Sequence, residues 1–133
     1  MIIVDSSVWI DYFNGADTSQ TDKLDRFLGI ELIGIGDIIL TEVLQGFRSD
    51  KDYRIAKEVL TSLTLFNMLG SKIAIKSADN FRYLRKQGIT IRKTNDVVIA
   101  TFCIEDNHAL LFSDKDFIPF VKDLGLDSVM EYK

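Results

Sequence analysis

The chain has 133 residues, enough to bury about two thirds of its unfolded surface, and we predict a single domain over residues 1–133. Hydrophobic residues make up 47% of it and charged residues 27%, as in ordinary soluble proteins, and no apolar run approaches the ~18 residues of a membrane span. The net charge of −4 argues against coating nucleic acid by charge alone, but not against acting on it through bound cations. Cys103 is the one cysteine, so no internal disulfide forms, which fits a reducing cytoplasm.

The first strand that we predict leads directly into a carboxylate. Residues 1–4 are apolar and mostly β-branched, which is typical of a strand buried on both faces of a parallel sheet. Asp5 follows at the carboxyl end of that strand, the edge at which ligands bind in open α/β sheets. A short helix over residues 8–13 then ends at Asn14 and Gly15.

Helices and short apolar strands alternate through the middle of the chain. We predict helices over residues 22–28, 38–47, 51–63 and 71–87, and strands over residues 31–35 and 65–69. Asp37 is the predicted N-cap of the second of these helices, and Gly88 is the residue that ends the last one.

The last part of the chain continues the alternation. Thr94 is the predicted cap of a helix over residues 95–106, which leads into a strand over residues 109–112 and a final strand over residues 128–130. Because short strands alternate with helices, the pattern predicts βαβ units and a parallel sheet enclosed by helices, an α/β fold.

Acidic residues converge on one edge of this predicted sheet. Asp5 and Asp114 follow strands that end there, and Asp96 begins the helix that leads into the second of those strands. Asp116 comes two residues after Asp114, in a sequence that is also typical of a turn. Glu42 lies on a helix and points away from its apolar ridge, and from that helix alone a structural role is the better interpretation.

Such a cluster offers only oxygen ligands. One histidine and one cysteine leave no tetrahedral zinc set, whereas an oxygen-rich site suits Mg²⁺ or Mn²⁺. The sequence also lacks a phosphate-binding loop, a dinucleotide fingerprint and the G-x-S-x-G elbow of a serine hydrolase. These patterns favour a Mg²⁺ or Mn²⁺ site over the other common catalytic arrangements.

A basic run leads into the cluster, since residues 81–95 carry five basic side chains and no acid. Basic residues beside a carboxylate site are where a phosphate backbone would lie. The residues predicted to bind nucleic acid are Arg82, Arg85, Lys86, Arg92 and Lys93. A simple helix-end role, favoured by the helix dipole, would account for Arg85 and Lys86 but not for Arg92 and Lys93.

Four stretches of the chain resemble the PIN-domain family, most closely the VapC-like ribonuclease toxins of type II toxin–antitoxin modules. They are residues 3–7 (IVDSS), 41–46 (TEVLQG), 94–100 (TNDVVIA) and 110–117 (LLFSDKDF). The resemblance implies a Rossmann-like three-layer α/β/α sandwich with a short parallel sheet. It also implies an acidic site made of Asp5, Glu42, Asp96 and Asp114, with Asp116 as a less constant fifth acid. The resemblance therefore favours a functional role for Glu42, where its own helix alone favours a structural one.

The function that follows from this resemblance is that of a Mg²⁺- or Mn²⁺-dependent endoribonuclease, the toxin of a toxin–antitoxin pair. Carboxylates of Asp5, Asp96, Asp114 and Asp116 would hold the metal, and Glu42 would be a further ligand or would orient the attacking water. The implied partners are an RNA substrate, an antitoxin that covers the acidic pocket and a second copy of the chain, with no membrane.

Three aromatic residues near the first helix are candidates for a dimer interface, with ordinary core packing as the alternative. They are Trp9, Tyr12 and Phe13. Phe112 departs from the family, in which close relatives often carry His or Thr at this position, and the change bears on hydrogen bonding near Asp114.

Two other functions stay open at this point. One is a non-catalytic PIN-like module that binds RNA or protein, although all four principal acids are present. The other is a phosphohydrolase of the haloacid-dehalogenase type, which also begins with a strand that ends in Asp. That chemistry uses a second Asp two residues later, where this chain has Ser7.

Overall fold

Five parallel strands form the sheet in the computed structural model, which describes residues 1–130. They are Ile2–Val4 (β1), Ile33–Gly36 (β2), Thr64–Phe66 (β3), Ala109–Leu111 (β4) and Asp127–Ser128 (β5). Their order is β3-β2-β1-β4-β5, so the first strand of the chain lies at the centre of the sheet. The predicted α/β fold with a parallel sheet is confirmed, while residues 131–133 of the predicted domain lie outside the described residues.

Within residues 1–130, seven α-helices connect and flank these strands. They are Ser6–Phe13 (α1), Ser19–Phe27 (α2), Asp37–Leu44 (α3), Asp50–Thr61 (α4), Ser71–Lys86 (α5), Thr94–Glu105 (α6) and Ile118–Leu124 (α7), with a 3-10 turn at Lys115–Phe117. Helix α1 packs against α2 and α3, and α5 packs against α6. No helix in this part of the chain is both long and apolar enough to cross a membrane.

The neighbouring strands β1 and β4 are buried over their last two residues, as their apolar sequences predict. Ile3 of β1 pairs with Leu110 of β4, and Val4 pairs with Leu111. All four side chains are fully buried. Burying a branched aliphatic side chain contributes about 1.5–3 kcal/mol, so these pairs hold the carboxyl ends of β1 and β4 side by side.

Two predicted helix caps are wrong by one residue. Helix α3 begins at Asp37 itself, whose Oδ1 accepts hydrogen bonds from the amides of Ile38 (2.9 Å) and Met68 (3.0 Å). Helix α6 begins at Thr94, and Lys93 is its N-cap, without a side-chain capping bond. The predicted end of α5 is confirmed, because Gly88 follows that helix with a φ of +83°.

The aromatic residues of α1 belong to the core to different degrees. Trp9 is fully buried, and its ring stacks on that of Phe13 at 5.9 Å. Tyr12 is half-buried and donates a hydrogen bond of 3.2 Å to Asp25. Core packing is therefore the right interpretation for Trp9, which is not available to a partner in this structure.

Candidate active site

Asp5 is held at the junction of the central strand and the first helix. Its main-chain carbonyl accepts hydrogen bonds from the amides of Val8 and Trp9 in the first turn of α1. Its side chain is only 3% exposed. Ser7 Oγ donates to Asp5 Oδ2 over 2.9 Å, and Ser6 Oγ donates to Oδ1 over 3.5 Å. The carboxylate is therefore fixed at the carboxyl edge of the sheet.

Glu42 is joined to Asp5 through a serine that the sequence did not single out. Glu42 lies half-buried on α3, and its Oε1 accepts a hydrogen bond of 3.1 Å from Ser6 Oγ. Packing of α1 against α3 brings the two residues together across 36 positions of sequence. The one signal for Ser6 in the sequence was its place directly after an acid that ends a strand.

Asp96 is a buried carboxylate with one oxygen left without a partner. It lies in the first turn of α6, where the helix dipole favours negative charge, and it is 5% exposed. Its Oδ2 is buried and has no hydrogen-bond partner within residues 1–130. An unpaired buried polar group costs about 1–3 kcal/mol, and more when it is charged. A ligand bound to this oxygen would remove that cost.

Two acids after β4 complete a compact group. Asp114 and Asp116 are partly exposed, and the amide of Asp116 donates to Asp114 Oδ1 over 2.9 Å at the start of the 3-10 turn. One carboxylate oxygen from each of Asp96, Asp114 and Asp116 lies within 4.8 Å of the other two. We call these three residues the acidic triplet. Asp5 and Glu42 lie outside the triplet but interact electrostatically with Asp96.

The crowding of buried like charges raises pKa values in the site. The pKa of Asp96 is raised from its ordinary value to about 7, chiefly by burial and next by the charge of Asp5. The charges of Asp114 and Glu42 act in the same direction, whereas Lys93 opposes them. The pKa of Asp5 is also raised, chiefly by burial and against its serine hydrogen bonds. The site therefore holds more negative charge than its own hydrogen bonds neutralise.

This donor set fits a hard divalent cation. Each triplet residue offers a carboxylate oxygen, and a cation among them would satisfy Asp96 Oδ2 and relieve the repulsion. Oxygen ligands of this kind suit Mg²⁺ or Mn²⁺ rather than zinc. Cys103 lies buried and free on α6 and is not part of the triplet.

A model of the PIN domain matches residues 2–120, from the first strand into the last helix. The chain belongs to the PIN-domain family. The matched region takes in all five acids that the sequence singled out. The resemblance predicted from four short stretches is therefore confirmed, and the haloacid-dehalogenase alternative loses its basis. In this PIN domain, Ser7 donates a hydrogen bond to Asp5 instead of supplying a second carboxylate.

Known relatives match this PIN domain over most of its length. The VapC ribonuclease Mb1587 of Mycobacterium bovis is 27% identical over 119 residues, which are 88% of this chain and 89% of that protein. The structure of VapBC2 from Rickettsia felis, bound to a DNA fragment from its promoter, matches with a TM-score of 0.76 at 19% identity and covers 100% of both chains. A toxin–antitoxin complex from Klebsiella pneumoniae matches with a TM-score of 0.74 at 17% identity, over 100% of this chain and 99% of the other. These structural matches confirm the fold.

The predicted RNA-binding residues of the PIN domain fall into two groups. Arg92 Nε lies 3.3 Å from Asp116 Oδ2, and Lys93 Nζ lies 3.6 Å from Asp114 Oδ2, so this pair is at the acidic triplet. The other three are exposed on α5 and form no ion pair with an acid of residues 1–130; they are Arg82, Arg85 and Lys86. The structure thus brings two of the five to the acids.

Phe112, the departure from the family pattern, lies in the core beneath the acidic edge. It is 1% exposed, and its ring centroid is 5.2 Å from that of Phe117 in the 3-10 turn. Its apolar ring therefore packs the turn that carries Asp116 onto the core. Asp114 keeps its side-chain hydrogen bond to the Asp116 amide beside this aromatic residue.

Proposed function

We propose that this protein is a divalent-metal-dependent endoribonuclease and the toxin of a toxin–antitoxin pair. One observation carries the proposal: a buried oxygen of Asp96, without a hydrogen-bond partner among residues 1–130, belongs to a triplet of carboxylates in a PIN domain. The relatives support the reaction class, since a VapC ribonuclease is among them. They also support the biological setting, since the matching structures are of VapBC and toxin–antitoxin complexes.

The metal that we propose is Mg²⁺ or Mn²⁺, held by the acids at the carboxyl edge of the sheet. The ligands, direct or through water, would be Asp5, Asp96, Asp114 and Asp116. A bound divalent ion lowers the pKa of a water molecule and stabilises the charge that develops on a scissile phosphate. Asp5 acts here as a carboxylate ligand and not as a nucleophile.

We assign to Glu42 the role of orienting the attacking water, with direct metal ligation as the other role open to its carboxylate. Ser6 Oγ donates to Glu42 Oε1 over 3.1 Å and so fixes the carboxylate beside Asp5, leaving its other oxygen to accept a proton. In-line attack of the water oxygen forms a new bond to phosphorus as the bond to the 3′ oxygen breaks. The products are a 5′-phosphate and a 3′-hydroxyl, and the 2′-hydroxyl is not needed as a nucleophile.

Basic residues would hold the RNA backbone along the path to these acids. Arg82, Arg85 and Lys86 on α5 present three exposed positive charges, and Arg92 and Lys93 lie at the acidic triplet. Phosphate contacts from such residues position a nucleic acid without reading its sequence. A net charge of −4 makes these local positive charges necessary for binding a polyanion.

The decisive experiment measures RNA cleavage by the purified chain with Mn²⁺, with the ends of the products mapped by sequencing. Wild type should give 5′-phosphate ends, and Asp96→Asn should lose at least about a hundred-fold in rate because the buried ligand is gone. Asp79→Asn, an exposed acid on α5, is the matched control and should cleave like wild type. Equal cleavage by wild type and Asp96→Asn, or 2′,3′-cyclic phosphate products, would exclude this site or this mechanism.

The alternative is a non-catalytic module that binds RNA or protein. It needs no metal, so calorimetric titration with Mg²⁺ or Mn²⁺ separates the two. The nuclease should show metal binding that Asp96→Asn removes, while a binding module should bind RNA equally with and without chelator.

The remaining assignments extend from the same proposal. We propose an antitoxin that covers the acidic edge, a homodimer, and residues 1–133 as one PIN domain in the cytoplasm. The free, buried thiol of Cys103 is in keeping with a reducing compartment. Co-expression with the product of a neighbouring gene, followed by purification and mass measurement, tests for both the antitoxin and the dimer.

A further inference from the structure

Two basic side chains contact the acidic triplet where the positive charge of a metal would act. Lys93 Nζ is 3.6 Å from Asp114 Oδ2, and Arg92 Nε donates to Asp116 Oδ2 over 3.3 Å. The third member, Asp96, has no such contact at its Oδ2, which is buried and unpaired within the described part of the chain. The protein therefore neutralises the triplet only in part.

Both contacts are of a kind that exchanges readily. The side chain of Arg92 is 74% exposed and that of Lys93 is 59% exposed, whereas their acidic partners are 23% and 22% exposed. Exposed ion pairs between long side chains contribute little net stability, because solvent screens them and the side chains lose freedom. Such contacts neutralise charge without fixing the site in one arrangement.

Lys93 also interacts with more of the site than its one ion pair. Its charge opposes the raised pKa of Asp96, while Asp5, Asp114 and Glu42 all push that pKa upward. Lys93 is the N-cap of α6, and Asp96 follows it by three residues in the first turn of that helix. A cation that enters the triplet must therefore compete with the ammonium group of Lys93 for the carboxylate of Asp114.

We propose that Lys93 and Arg92 are resident counter-ions, which a divalent cation displaces from Asp114 and Asp116 when it binds. The inference rests on the proposed metal-dependent function. One doubly charged ion shared by three carboxylates is attracted more strongly than two single charges that each touch one of them. The displaced side chains stay beside the site and turn to solvent, where RNA phosphates lie. Metal loading thus transfers two positive charges from the acids to the substrate.

The first test is the affinity for Mn²⁺ alone, measured on the full chain by calorimetry at one fixed salt concentration. Lys93→Met should bind Mn²⁺ about two- to five-fold more tightly than wild type, because a competing cation is removed. Lys72→Met, which removes an equal charge from the exposed surface of α5 at a residue without an assigned role, is the control and should bind as wild type does.

Each outcome of that titration is informative. Unchanged or weaker binding by Lys93→Met overturns the inference, because Lys93 would then merely position Asp114. If wild type does not bind Mn²⁺, or if Asp96→Asn binds it as well as wild type does, the proposed metal-dependent function fails and the inference fails with it. The two failures are therefore distinguishable.

The second test follows the displacement itself in the wild-type chain. Lysines are labelled briefly with an amine-acylating reagent, with Mg²⁺ or with chelator, and the extent of labelling at each lysine is read by mass spectrometry. Labelling of Lys93 should rise with Mg²⁺, while labelling of Lys86 stays constant. Unchanged or reduced labelling of Lys93 under saturating Mg²⁺ overturns the displacement.

Discussion

Among single residues, Asp96 lowers the stability of the fold at neutral pH, because its carboxyl is buried at the candidate site. The pKa of its buried carboxyl is about 7, whereas the ordinary value is 3.8. A carboxyl whose pKa is higher in the folded than in the unfolded state stabilises the fold at low pH. That contribution is lost as the pH rises from about 4 to about 7. Above this range the buried charge lowers the free energy of unfolding by a constant amount.

We therefore expect metal-free wild type, in chelator, to lose on the order of 1–3 kcal/mol of unfolding free energy between pH 5 and pH 8. Asp96→Asn removes the buried charge, so it should be the more stable protein at pH 8 and should show a shallower decline. Urea denaturation at the two pH values measures this, with Asp79→Asn expected to follow wild type. An Asp96→Asn protein less stable than wild type at pH 8 contradicts the electrostatic account.

Ser6 is a single hydroxyl on which two acids depend. It donates to Glu42 over 3.1 Å and to Asp5 over 3.5 Å. Ser6→Ala should lower the rate of RNA cleavage by about ten- to a hundred-fold, the usual cost of losing an outer partner of a metal site. Ser71→Ala, at the exposed start of α5, should leave the rate unchanged. If Ser6→Ala cleaves RNA at the wild-type rate, the hydrogen bond from Ser6 to Glu42 is not needed for the reaction.

Among the elements, β2 and the segment after β3 meet at a point where only glycine fits. A Cβ on Gly36 would collide with the side chain of Met68, which is fully buried. Asp37 Oδ1 holds the Met68 amide at 3.0 Å, so that residue cannot easily withdraw. The contact fixes the start of α3, the helix that carries Glu42.

Gly36→Ala should accordingly destabilise the fold by about 1–3 kcal/mol, the usual cost of overpacking a core. Gly46→Ala is the matched control, because the nearest atom to its added Cβ would be Val43 O at an ordinary 3.6 Å. Thermal unfolding of the two variants gives the comparison. Equal midpoints for the pair contradict the close approach at Gly36.

The elements of this fold were predictable from sequence to different extents. The strands β1 and β4 are predictable because they are continuous apolar runs followed closely by acids. The end of α5 is predictable because glycine is the usual residue after a helix, and Gly88 indeed has a positive φ. Asp37 and Thr94 are both good cap residues, yet each begins its helix, and Asp37 Oδ1 accepts hydrogen bonds from the amides of both Ile38 and Met68.

The site was predictable as a set of acids but not as a set of contacts. Topology alone brings Asp5, Asp96 and Asp114 to one edge, so their meeting could be inferred from the strands. The Ser6–Glu42 hydrogen bond and the Lys93–Asp114 pair depend instead on how helices and loops pack, which no local pattern encodes. The sequence of its own helix favours a structural role for Glu42 and does not predict its contact with Ser6 of α1.

For the whole molecule, charge is the quantity that would govern access of the proposed RNA substrate. The chain is acidic overall, so contacts from the exposed basic side chains of α5 should dominate the salt dependence of binding. The variant that removes them is Arg82→Gln/Arg85→Gln/Lys86→Gln. In an Asp96→Asn background, which prevents cleavage, it should lower the slope of log affinity against log salt by up to about 2.

Fluorescence anisotropy with a labelled single-stranded RNA at several salt concentrations gives that slope. The variant Lys51→Gln/Arg54→Gln/Lys57→Gln removes three exposed charges from α4 instead and serves as the control of equal net charge. A similar fall in slope for both triple variants would indicate a general effect of net charge. The proposal that RNA binds along α5 would then be wrong.

The central position of β1 has a consequence for the way in which the cell makes this protein. β1 is synthesised well before its neighbour β4, which begins only at Ala109, and the acids of the triplet are complete only at Asp116. A nascent or prematurely terminated chain that ends before β4 carries Asp5 on a strand with one side unpaired and lacks two of the three triplet carboxylates. Because Asp114 and Asp116 follow β4, the proposed metal site cannot form before both β1 and β4 have been synthesised.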